Sequence, residues 1–204
     1  EAAWHIHDTS FKPWPACRHT HPAIAATLAL RADSLRREPT LPDVRTLTVQ
    51  TYADALDFCD NPDPVDAGQA RFSLQHTVAV AWLRGEPRLA DFQPETLSDP
   101  ALVALRRRVA VTPDAGCQAR YPVHFGASVA LTRPDGTEMH AHRDDAPGDP
   151  EDPLTEAALR AKLTDAATAA GWSAQQTDEL MQACATLTQA PDLQRLPALT
   201  SAIG

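Results

Sequence analysis

Between Asp66 and Arg84 the chain carries Phe72, Leu74, Val78, Val80, Trp82 and Leu83, which on a helical net fall on nearly every side. A helix without a polar face must be covered all round. The stretch therefore predicts one central helix over Asp66–Arg84, stopped by Gly85. The flanking sequence has the segments to cover it. Pro22 suits a first helical turn, and Ala23 to Leu35 are strong helix formers, which predicts a helix ending before Pro39. Val44 to Tyr52 alternates at period two with β-branched residues, the pattern of a half-buried strand, and a short helical turn over Ala53–Cys59 follows. Ser98, with Pro100 behind it, predicts the N-cap of a third helix. Strands are predicted at Val109–Val111, Phe125–Thr132 and Glu138–Arg143, the last two joined by the turn Pro134-Asp135-Gly136. Helices and strands mix without a βαβ rhythm. The prediction is an α+β fold, with a mixed or antiparallel sheet, helices packed on one face, and a helical C-terminal segment.

The composition changes at the acidic, proline-rich loop Asp144–Pro153, which divides the chain into residues 1–150 and 151–204. The second part predicts helices over Leu154–Ala170 and Ser173–Leu187 and a short piece near Leu193. Leu154, Leu159 and Leu163 form one stripe, but large apolar residues are few, so this part is expected to cover its apolar face against something else. With 27 acidic against 18 basic residues, a net charge of −9 and 5% aromatics, the chain lacks the basic, ring-rich surface of a nucleic-acid binder. No apolar run approaches the roughly 20 residues of a membrane span. Cys17, Cys59, Cys117 and Cys184 are scattered, which predicts reduced thiols and a cytoplasmic setting. An opening at Glu1, with neither Met nor a signal pattern, suggests part of a longer polypeptide.

The densest group of reactive side chains is Lys12, Cys17, Arg18, His19 and His21, placed where a helix begins. Lys12 is one of two lysines in the chain, with Lys162. Backbone N–H groups and cations at a helix start favour carboxylates or phosphates, so this is a candidate anion site. A cysteine there is also placed to have a lowered pKa. A competing reading is a metal site, since His5/His7, His19/His21 and His140/His142 each have one residue between them. Only the last pair falls on a predicted strand, where such spacing puts both rings on one face. Arg71 and His76 lead into the apolar helix, facing either a pocket or the core.

Several of these segments resemble the C-terminal half of the MmgE/PrpD family, whose members include 2-methylcitrate dehydratase, cis-aconitate decarboxylase and iminodisuccinate epimerase. They are the run from Phe11 through Lys12-Pro13-Trp14-Pro15-Ala16-Cys17-Arg18-His19-Thr20-His21 to Ile24, then Ala70 to His76, Val78-Ala79-Val80, Tyr121-Pro122, Asp135-Gly136, Gly148 to Leu154, and Ala161-Lys162. The resemblance implies a two-domain enzyme without metal or organic cofactor, its active site lying between a helical domain and an α+β domain. Residues 1–150 would be the α+β domain, and 151–204 would be helices returning to a helical domain whose N-terminal half supplies further acid–base residues, a histidine and an aspartate among them. It also implies a homodimer. Lys12 matches the family's active-site lysine, His19 and His21 fall where different members place a histidine, and Cys17 and Arg18 stand where the dehydratase and decarboxylase branches have other residues.

The chemistry of the residues agrees with that class. Proton removal beside a carboxylate builds negative charge, which Lys12 and Arg18 can hold while a histidine moves the proton. The expectation is a cofactor-independent lyase or isomerase of a small di- or tricarboxylate, with Lys12, His19 and His21 catalytic and Arg18, Cys17 and His76 binding substrate. The alternatives are a non-catalytic binding or assembly module on the same scaffold, and a metal-dependent hydrolase.

Overall fold

The computed structural model describes residues 8–200, which form two compact units, one ending at Leu154 and the other beginning at Thr155. The first is built on a four-stranded mixed sheet. Its strands are β1 (Thr46–Thr51), β2 (Val109–Pro113), β3 (Ala127–Thr132) and β4 (Glu138–Arg143), in the order β2-β1-β3-β4. β1 runs parallel to β2 and antiparallel to β3, and β3 and β4 form an antiparallel hairpin.

Register sorts the two faces of the sheet. Leu47 pairs with Val109 and Leu131, and Leu131 with Met139, while Val49 pairs with Val111 and Val129, and Val129 with Ala141. Because side chains alternate along each strand, all of these share the face that joins the core. His140 and His142 fall with Thr48, Ala130, Gln50 and Ser128 on the opposite, open face. Gly136 takes φ +88° in the β3–β4 turn, the conformation that the Pro-Asp-Gly signal predicts.

The helices cover one face, as expected. α1 (His21–Arg37), with Pro22 in its first turn, packs on β3 and β4, and α4 (Leu74–Leu83) packs on α1 and β2. α2 (Ala53–Cys59) follows β1 directly. The predicted single helix over Asp66–Arg84 is instead two, α3 (Ala67–Arg71) and α4. The break falls at Ser73, whose Oγ accepts the His76 N–H at 2.9 Å and so starts a new helix. Phe72, read as part of the apolar helix, lies outside both and is 48% exposed. What remains, α4, is buried along almost its whole length.

A second correction concerns the N-cap assigned to Ser98. Ser98 closes the short helix α5 (Pro94–Leu97), and Asp99 caps α6 (Pro100–Arg106), its carboxylate accepting the Ala101 N–H at 2.8 Å. An ionised acceptor beside a helix N-terminus outcompetes a hydroxyl one residue earlier. A further helix, α7 (Ala115–Arg120), capped by Asp114, stands where no element was predicted.

The second unit consists of α8 (Glu156–Ala169), α9 (Ala174–Ala185) and α10 (Arg195–Thr200). Thr155 and Ser173 cap the first two, the latter through a capping box with Gln176. Among its described residues only Ala167, Thr177 and Ala183 are buried, and Leu159, Leu163 and Met181 remain partly open. No helix among the described residues is long and apolar enough to cross a membrane.

Candidate active site

The cluster from Lys12 to His21 is fastened in place by backbone contacts. Phe11 N–H donates to the Gly148 carbonyl at 2.8 Å, and Cys17 N–H to that of Arg71 at 2.8 Å. Gly148 has φ +93°, and a Cβ there would lie 1.8 Å from the Phe11 carbonyl oxygen, so only glycine permits this approach. The next residue, Asp149, is buried and grips Arg18, with Oδ2 2.6 Å from Nη2. The Arg18 guanidinium also lies 3.7 Å above the centre of the Phe125 ring, a cation–π contact. Residues Arg18–Thr20 form a 3-10 turn that feeds α1.

His19 is half-buried in a shell of aromatic rings. Its Nδ1 lies 2.7 Å from the Tyr52 hydroxyl, and its ring stacks on Phe58 and on Phe125, with Tyr121 at 6.4 Å. Tyr52 and Tyr121, the two tyrosines of the chain, stack on each other at 4.2 Å. Burial pushes the His19 pKa below its ordinary value, Asp54 opposes that shift, and the Arg18 and Lys12 cations add to it. The Tyr52 phenol is pushed well up by burial and stays protonated. Tyr121 is also raised, chiefly by its hydrogen bond to Asp54.

Beside them, the buried thiols of Cys17 and Cys59 hydrogen-bond to each other. Cys59 S–H donates to Cys17, which, with the His19 backbone N–H and the Lys12 charge, overcomes burial and lowers the Cys17 pKa to about 6. Cys59 is pushed the opposite way by the same bond. The same bond therefore favours the thiolate at Cys17 and the thiol at Cys59.

The structure thus brings Lys12, Cys17, Arg18 and His19 together, and places the other two predicted site residues in the interior. His21 is 1% exposed, its ring edge-on to Trp14 at 5.3 Å. His76 is wholly buried, its Nε2 2.8 Å from the Asp91 carbonyl and its Nδ1 3.4 Å from Arg106 Nη1, and burial lowers its pKa to about 4. Among the described residues no three His, Cys, Asp or Glu side chains are arranged to hold a metal ion. The His5/His7 pair lies outside the described residues. His142 instead bridges Ser128 Oγ and Asp144 Oδ1, at 2.8 and 2.9 Å.

Sequence reasoning missed Tyr52, Asp54, Phe58, Cys59, Phe125 and Asp149 as site residues. For Asp149 a signal existed in the run Gly148 to Leu154, and for the tyrosines in their rarity.

Residues 14–187 match the family model of the MmgE/PrpD C-terminal domain. The chain belongs to the MmgE/PrpD family. It is similar to the 2-methylcitrate dehydratase of Salmonella typhimurium, 28% identical over 109 residues that make up 53% of this chain and 23% of that protein. The Cupriavidus necator 2-methylcitrate dehydratase is 27% identical over 131 residues, 62% of this chain and 27% of that one. The mitochondrial 2-methylcitrate dehydratase of Yarrowia lipolytica is 24% identical over 131 residues, 62% and 25% of the two chains. The chain spans about a quarter of the length of these relatives.

Proposed function

We propose that this chain is the C-terminal part of a lyase that acts on a small di- or tricarboxylate by moving a proton next to a carboxylate, in the manner of a 2-methylcitrate dehydratase. The observation that carries this reading is the meeting of two cations, Lys12 and Arg18, with two titratable groups of lowered pKa, Cys17 and His19. Removing a proton from carbon beside a carboxylate loads that group with a second negative charge. Fixed cations placed at the developing charge lower the barrier, and the rings of Tyr52, Phe58, Tyr121 and Phe125 pack around His19 beside them. Asp149 holds one edge of Arg18, so the guanidinium is already oriented when a carboxylate arrives. Lys12, as a point charge, suits a second carboxylate or a leaving hydroxyl. His21 and His76 are assigned to the support beneath, His21 against Trp14 and His76 within the core. The reading calls for no cofactor, because cations and acid–base groups perform all of these steps. The remaining acid–base residues and the helical cover belong to the N-terminal half of the whole enzyme.

The test is to incubate the full-length enzyme with 2-methylcitrate, citrate, cis-aconitate and iminodisuccinate and to follow each by proton NMR. Loss of water is expected. Lys12→Ala should lower kcat/KM by roughly 10²–10³-fold with an unchanged circular dichroism spectrum. Wild-type turnover in that variant would remove Lys12 from the mechanism. Carboxylate binding without turnover in the wild-type enzyme would favour a binding module instead.

A further inference from the structure

The contact between Tyr52 and His19 determines more than the position of a ring. A phenol has one proton to donate, and an imidazole nitrogen can meet it in two ways. Either the Tyr52 O–H donates to a bare Nδ1, or an Nδ1–H donates to the Tyr52 oxygen and the phenolic proton has to go elsewhere. Tyr52 is fully buried, with Tyr121 stacked on one face and Phe125 edge-on at 5.7 Å. Among the described residues the hydroxyl has one hydrogen-bond partner, His19 Nδ1 at 2.7 Å. The second arrangement would leave a buried O–H donor with no acceptor, the unfavourable case for any polar group away from water. The first leaves nothing unpaired.

We propose that Tyr52 is a positioning residue that holds His19 as its Nε2–H tautomer, so that the ring meets a bound polycarboxylate as a hydrogen-bond donor and not as the base. This rests on the polycarboxylate reading of the site given above. Tautomers exist only for a neutral ring, and burial together with Arg18 and Lys12 keeps His19 neutral at pH 7, against the pull of Asp54. In that state Nδ1 is occupied by the phenolic proton and Nε2 by its own. His19 then has no lone pair with which to take a proton from carbon. Its Nε2–H has no hydrogen-bond partner among the described residues, and its use is to stabilise the oxygen on which charge builds up, as a neutral imidazole can do.

The test is a long-range nitrogen–proton correlation spectrum of the 204-residue chain labelled with ¹⁵N-histidine, the His19 signals being assigned by their loss in His19→Gln. The expected result at neutral pH is a bare Nδ1 and a protonated Nε2, with the Nε2–H form in excess by roughly tenfold or more. In Tyr52→Phe the two nitrogens should move toward the averaged shifts of mixed tautomers. The same substitution in the full-length enzyme should lower kcat with little change in KM. A wild-type His19 protonated at Nδ1, evenly mixed, or doubly protonated at neutral pH would overturn the proposal. So would a Tyr52→Phe spectrum identical to that of the wild type. If Tyr52→Phe does not fold, the wild-type spectrum alone still decides. The spectrum needs no substrate, so a failed turnover screen and a failed tautomer assignment are separate results.

Discussion

Cys17 owes its lowered pKa chiefly to one neighbour. The largest influence on it is the Cys59 S–H, ahead of the opposing effect of burial and of the lesser help from the His19 N–H and Lys12. Removing that donor has a definite sign, because a thiolate without its hydrogen bond keeps the burial penalty and loses the compensation. In wild type the rate of Cys17 alkylation by iodoacetamide should rise through a midpoint near pH 6 and be almost level by neutral pH. In Cys59→Ala the midpoint should move up past the ordinary thiol value of about 8.5, so that the rate at neutral pH falls by roughly tenfold or more. Cys59→Ser, which keeps an O–H donor, should recover much of the loss. Peptide mapping by mass spectrometry over a pH series reads all three, and an unshifted midpoint in Cys59→Ala would contradict the pairing. The sequence could not show this partner. Cys17 and the cations around it stand within ten residues and so could be read together, whereas Cys59, Tyr52, Phe125 and Asp149 reach the site only because β1, β3 and the Gly148 loop converge there. Pairing at that distance depends on strand register and loop closure, which local residue patterns do not encode.

Gly148 and Gly136 separate two reasons for a glycine. Both adopt positive φ, +93° and +88°, but a Cβ at Gly136 would meet nothing within 4 Å, whereas one at Gly148 would overlap the Phe11 carbonyl. Gly136→Ala should therefore cost only the conformational penalty of a left-handed residue, about 1 kcal/mol. Gly148→Ala must also part the loop from the Phe11–Pro13 segment. We expect a loss of about 2 kcal/mol or more in urea unfolding, and a larger fall in kcat/KM than Gly136→Ala produces, since Lys12 and Asp149 are both adjacent to the contact. Equal effects of the two substitutions would mean that the approach of Phe11 is not needed. The turn at Gly136 was legible because Pro-Asp-Gly encodes it locally. The division of the apolar stretch into α3 and α4 was not, because the decisive event is a hydrogen bond from the His76 backbone N–H to Ser73 Oγ inside an otherwise continuous hydrophobic run. The N-cap of α6 was misplaced by one residue for a similar reason, since Ser98 and Asp99 are both good caps and only geometry chooses between them.

The two units differ in how much they bury. The first holds Leu47, Val49, Leu74, Val78, Trp82 and Leu131 at 0–1% exposure around a complete sheet, a core of the kind that folds by itself. The second buries no large apolar side chain among its described residues, and its half-open residues, Leu159, Leu163 and Met181, come from α8 and α9. Three short helices with only two alanines and a threonine inside, among the described residues, cannot recover the conformational entropy of ordering residues 155–200. That deficit was legible in the sequence as a leucine stripe with too few partners, although the sequence could not say what closes it. We assign the cover to the N-terminal half of the family enzyme. A fragment ending at Leu154 should then unfold in one cooperative thermal transition, while a fragment from Thr155 onward should show none by circular dichroism. In the full-length enzyme, amide hydrogen exchange across Leu159 to Leu163 should slow by roughly two orders of magnitude or more relative to the 204-residue chain. Cooperative melting of the isolated helical fragment, or equal exchange in the two proteins, would show that these helices need no such partner.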